Sequence, residues 1–112
     1  MTNFDKMLID KVFIICKDAD FGKYKQIAEL MGYDDEGYVK EIFSQKKRPI
    51  SLKNLLCLVY SFNKKLAEQG KPEKTINDFL PSKSDYIKSG IKGDNVYECF
   101  FKSIDREVNE YV

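Results

Sequence analysis

The chain has 112 residues, 43% of them hydrophobic and 33% charged, which is the length and balance of one globular domain. No apolar run approaches the roughly 20 residues needed to cross a bilayer. Acidic residues inside the apolar opening MTNFDKMLIDKVFIIC make it a poor secretory signal, so a cytoplasmic location without membrane association is expected. A net charge of only +1 excludes a protein that holds nucleic acid by bulk charge alone.

The first expected helix is capped by Thr2 or Asn3 and runs to about Lys17, with Phe4, Leu8, Val12 and Ile15 at helical spacing and Met7 and Ile14 beside them. VFIIC has strand propensity, but the surrounding period favours helix. A second helix spans about Lys23 to Met31, with Ile27, Ala28, Leu30 and Met31 on its apolar side and Gly32 as a terminator able to take positive φ. Asp34 or Asp35 caps a third helix to about Ser44 or Gln45, which buries Val39, Ile42 and Phe43. Ser51 caps a fourth to about Ala67, with Leu52, Leu55, Leu56, Val59, Phe62 and Leu66 as its core stripe. EQGKPEK reads as an exposed loop, and Thr75 caps the short helical turn INDFL. A polar connector from about Ser82 to Gly93 carries some helix around Tyr86 and Ile87. The last helix begins at Asp94 or Asn95, where Asn95 and Glu98 have capping-box spacing. In that helix Tyr97, Phe101, Ile104, Val108 and Tyr111 form a coiled-coil-like seam. The fold class is therefore all-α: five to six helices, with residues 1–81 as the main unit and residues 82–112 as a C-terminal connector and helix.

Charge is unevenly spread. From Lys40 to Lys53 there are five positive residues and one negative, a net +4, whereas Asp94 to Val112 carries a net −3. That asymmetry suggests one face for phosphate and another kept away from it. Cys16, Cys57 and Cys99 are scattered among apolar neighbours; they read as buried thiols rather than a disulfide framework, with a three-cysteine metal site as the minor alternative. Histidine is absent and no nucleophile motif is present, so neither an enzyme, a metal centre nor a cofactor site is expected.

The segments IAELMGY, YVKEIF, the RP pair and SLKNLLCLVYSF together resemble the lambda-repressor-like (Cro/repressor, XRE-type) helix-turn-helix family. In that pattern a small residue, here Ala28, lets the next helix cross closely, and a turn glycine follows, here Gly32. The resemblance covers roughly residues 4–80. It implies a small sequence-specific DNA-binding regulator of phage or mobile-element type that acts on double-stranded DNA by operator occupancy, as a repressor that blocks polymerase or an activator that assists it, usually as a homodimer.

The implied base-contacting positions are Gly37, Tyr38, Lys40, Glu41 and Ser44. The implied phosphate contacts are Lys23, Tyr24, Lys25 and Gln26 in the second helix, and Gln45, Lys46, Lys47, Arg48, Ser51, Lys53 and Asn54 around the basic loop. A solvated loop is the other reading of the basic triplet. The seam Tyr97, Phe101, Ile104, Val108 and Tyr111 either packs on the core or makes a two-fold dimer contact. The chain departs from the family in a turn one residue longer than usual and in Asp34, Asp35 and Glu36 at the tip of the reading helix. Those carboxylates repel phosphate unless they point sideways, accept from a cytosine amino group or cap the helix. They also motivate a second reading, in which the fold is a protein-interaction module such as an inhibitor or antitoxin.

Overall fold

The computed structural model describes residues 1–85, and these form five helices and no strand. They are α1 (Asn3–Asp18), α2 (Tyr24–Met31), α3 (Gly37–Phe43), α4 (Leu52–Glu68) and α5 (Ile76–Phe79). The all-α class is as the hydrophobic periods indicate. The expected connector helix, the last helix with its seam, and Cys99 lie outside the described residues.

The helices α1, α2, α4 and α5 each have a local side-chain contact at their start. Thr2 and Asp5 form a reciprocal capping box at α1, with the Thr2 hydroxyl accepting from Asp5 N–H and the Asp5 carboxylate accepting from Thr2 N–H, both at 3.1 Å. The Gln26 carboxamide accepts from Lys23 N–H at the start of α2. The Ser51 hydroxyl accepts from Asn54 N–H at the start of α4, and Asp78 accepts from Thr75 N–H at α5. VFIIC is helical, because α1 continues through it to Asp18.

α2 packs against α4 and α3, while α1 packs against α3 and α5. Their shared core holds Ile9, Val12, Cys16, Ile27, Leu30, Val39, Ile42, Leu58, Phe62 and Phe79, all fully buried. Phe62 of α4 meets two rings edge-on, Phe21 at 5.6 Å and Phe79 at 5.5 Å between centroids, and so locks α5 and the α1–α2 connection to α4. Asn63 pins the loop before α5, accepting from Lys74 N–H at 2.8 Å and donating to Lys74 C=O at 2.7 Å.

Two expected stripes are rotated. In α1, Ile9 and Cys16 take fully buried places, Phe4 and Ile15 are partly buried, and Ile14 is 54% exposed. In α4 the buried residues are Asn54, Leu55, Leu58, Phe62 and Leu66, whereas Leu52 and Leu56 face outward and Val59 is partly buried. Apolar residues occupy more than half of the α4 circumference, so their period alone does not choose the inner side; contact with α2 does. Cys57, expected to be buried, is exposed for the same reason, while Cys16 is buried and desolvation pushes its thiol up to about 12.

After α5 the chain returns to α1. Ser82 and Asp85 cap each other, and the Asp85 carboxylate meets the Lys11 ammonium at 2.7 Å. That hydrogen bond, with the Ser82 N–H, pulls the Asp85 carboxyl from 3.8 to about 2.

Two outcomes follow for stability. Leu58→Ala is expected to cost about 2–5 kcal/mol and Leu56→Ala roughly 0.5 kcal/mol or less, read from urea unfolding midpoints. Because the Asp85 pKa is lower in the folded protein, its contribution is complete above about pH 4 and is lost as pH falls toward 2. Asp85→Asn should flatten the acid limb of stability over that window. The effect should stay below about 1 kcal/mol because the pair is partly solvated.

Candidate nucleic-acid interface

The turn between α2 and α3 is set by Gly32, which takes φ 85°, ψ 21°. Only there can Tyr33 N–H reach back to Ala28 C=O at 2.9 Å while Gly32 N–H bonds Glu29 C=O at 3.1 Å, closing α2. Ala28 itself is 1% exposed. Its small side chain sits in the core as α2 meets α3 and α4. Val39 and Ile42 anchor the inner side of α3, as the residue pattern indicates, and are fully buried.

The acidic turn is largely occupied with its own backbone and neighbours. Asp35 accepts from Gly37 N–H at 2.8 Å. A Cβ on Gly37 would come within 3.0 Å of that same carboxylate oxygen, so the glycine makes room for the Asp35 contact. Glu36, not Asp34 or Asp35, holds the N-cap position, and its carboxylate pairs with Lys40 at 2.8 Å. The Glu36 hydrogen bond raises the Lys40 pKa.

α3 is only seven residues, about 10 Å long. Gly37 and Lys40 on it and Ser44 just after it are exposed, and Tyr38 and Glu41 are half-buried. Tyr38 packs on Tyr33 at 4.9 Å, and the Arg48 guanidinium sits 5.6 Å over the Tyr38 ring while its Nε meets Glu41 at 2.7 Å. Tyr33 donates its hydroxyl to Asn54 Oδ1 at 3.1 Å. One connected lattice thus ties the turn, α3, the basic loop and the start of α4.

Several expected contact residues are therefore engaged within the protein. Lys40, Lys46 and Arg48 each carry a carboxylate partner, the Lys46 partner being Asp10 on α1 at 2.9 Å. Asn54 is the clear correction: it is 7% exposed, with its side chain held by Tyr33, and it points into the core rather than toward a phosphate. Tyr24 is half-buried against Phe13, and the Gln26 carboxamide oxygen is used at the start of α2. Ser51 spends its hydroxyl on Asn54 N–H. Gln45 is exposed, and so are Lys23, Lys25, Lys47 and Lys53; those four lysines have no ion pair among the described residues.

Lys46 has φ 51°, a left-handed conformation usually given to glycine after a helix. Lys47 N–H bonds back to Glu41 C=O at 2.8 Å, completing the reversal that follows α3, with Lys46 three residues before Pro49. Nothing in the sequence marks this position, because the residue there is a lysine. Asp10 was likewise not expected at the site, since the fold brings it to Lys46 from 36 residues away.

Comparisons with protein-family models, with curated proteins and with solved structures return no match.

Lys46→Ala and Lys46→Gly both remove the Asp10 pair, so their difference isolates the backbone. Lys46→Gly is expected to be more stable than Lys46→Ala by about 1 kcal/mol, checked by thermal and urea melts.

Proposed function

We propose that this chain is a small DNA-binding regulator in which α3 reads base edges and the flanking lysines clamp phosphate. The observation that carries this reading is the placement of Lys23 and Lys25 at the start of α2, with Lys47 and Lys53 in the loop and at the start of α4. All four are exposed and unpaired among the described residues, and in sequence they bracket α3. The Leu52 and Lys53 N–H groups, ahead of the Asn54 N–H that Ser51 caps, add helix-start donors.

The three paired cations do not remove that option. Exposed ion pairs are worth about 0–1 kcal/mol each, so a phosphate can take the place of Glu36, Glu41 or Asp10 at small cost. Regulation would be by operator occupancy in the cytoplasm. A homodimer would place two α3 helices about 34 Å apart on a palindrome. Its contact, through Tyr97, Phe101, Ile104, Val108 and Tyr111, is part of the same proposal.

Selection of bound DNA from a random duplex pool should enrich a defined sequence. Lys47→Ala and Lys53→Ala should each weaken binding across sequences and lower the salt slope by about 1. Equal binding by wild type and a Lys46/Lys47/Arg48 triple-alanine variant would remove the basic loop from the interface.

The near-neutral lattice Glu36–Lys40, Glu41–Arg48 and Asp10–Lys46 favours a second reading, a helix-turn-helix used to grip a protein. An empty DNA selection together with a stoichiometric protein partner would favour it over the first.

A further inference from the structure

Arg48 is held differently from the two paired lysines near it. Lys40 and Lys46 each meet a carboxylate through the ammonium itself, Glu36 at 2.8 Å and Asp10 at 2.9 Å, so a phosphate competes for the same group. Arg48 meets Glu41 through Nε, at 2.7 Å. A carboxylate placed there takes one edge of the planar guanidinium and leaves the end edge, between Nη1 and Nη2, for a second acceptor. Arg48 has no second carboxylate among the described residues, and its side chain is 57% exposed.

The guanidinium is supported from a second side. It sits 5.6 Å over the Tyr38 ring; Tyr38 packs on Tyr33, and the Tyr33 hydroxyl is fixed on the buried Asn54. The support therefore runs into the core. Glu41 also holds the loop twice, since its backbone C=O takes Lys47 N–H at 2.8 Å while its carboxylate takes Arg48. Tyr38 and Glu41 are both half-buried, which suits support of a neighbour better than contact with base edges. A free arginine loses rotamer freedom when it binds, and one already fixed loses less.

We infer that Glu41 and Tyr38 are positioning residues: they aim the Nη edge of Arg48 at a DNA phosphate, which accepts from both nitrogens, and they do not themselves read bases. The inference rests on the DNA-binding reading above and narrows it, leaving Gly37, Lys40 and Ser44 for base edges.

The sign of one substitution separates positioning from plain charge. Removing a carboxylate beside a polyanion strengthens binding if charge alone acts. Affinities are measured by fluorescence anisotropy on the duplex that the wild type selects from a random pool, with thermal melts showing each variant folded. Asp10→Asn, the charge control, should tighten binding about twofold. Glu41→Gln should instead weaken it about fivefold, because Arg48 is no longer aimed. Placed on Arg48→Ala, the same Glu41→Gln should tighten binding, since Glu41 then only repels phosphate. Arg48→Lys keeps the charge but loses the fork, and should weaken binding severalfold. Tyr38→Phe keeps the ring and should bind as the wild type does, whereas Tyr38→Leu should weaken binding.

A Glu41→Gln variant that binds as tightly as the wild type or tighter overturns the inference and leaves the DNA reading standing. So does one that weakens binding equally when Arg48 is already removed. A loss with Tyr38→Phe gives the Tyr38 hydroxyl to DNA and overturns its positioning role. A wild type that selects no duplex overturns the DNA reading and this inference together.

Discussion

The close approach of α2 to both α3 and α4 is the constraint on which the rest depends. α2 has eight residues and α3 seven, lengths at which an isolated helix is not stable in water. Both exist because their apolar sides are buried together: Ile27, Ala28, Leu30 and Met31 from one, Val39, Ile42 and Phe43 from the other. Ala28 is small enough for the crowded junction, and Gly32 supplies the positive φ that turns the chain within a few residues. The direction of α3, and so whatever its outer side meets, follows from that packing rather than from any helical preference of GYVKEIF.

Around this apolar junction lies a polar lattice with a different role. Asn54, Tyr33, Tyr38, Arg48 and Glu41 form a continuous chain of contacts from α4 through the turn to the basic loop. Its exposed ion pairs are individually weak. Their larger effect is on the field: three of the cations nearest α3 are matched by carboxylates, so the face is far less positive than a count of its lysines and arginines suggests. Lys23, Lys25, Lys47 and Lys53, which lie before and after α3 in sequence, are exposed and have no ion pair among the described residues.

The buried sides of α2 and α3 were legible in the sequence because each helix has a single apolar side. α4 was not, because Leu52, Leu55, Leu56, Leu58, Val59, Tyr60, Phe62 and Leu66 spread over more than half its circumference. The positions of α2, α5 and the α1–α2 connection select Leu55, Leu58, Phe62 and Leu66, and that selection turns Leu52, Leu56 and Cys57 to the outside. Asn54 was misplaced for a related reason: a polar residue near a helix start reads as exposed until a tyrosine hydroxyl is found to satisfy it.

The sequence by itself determined the all-α class, the capped starts of most of the helices, the glycine-ended α2 and the inner anchors of α3. These depend on residues within a few positions of each other, where period and capping chemistry act locally. The tertiary structure alone decided which side of α4 is buried, that Lys46 adopts a left-handed backbone, and that Asp10 neutralises it from α1. Those outcomes depend on surfaces that meet only after the chain has folded, and no local pattern encodes which of two comparable apolar faces, or which distant carboxylate, will be the one in reach.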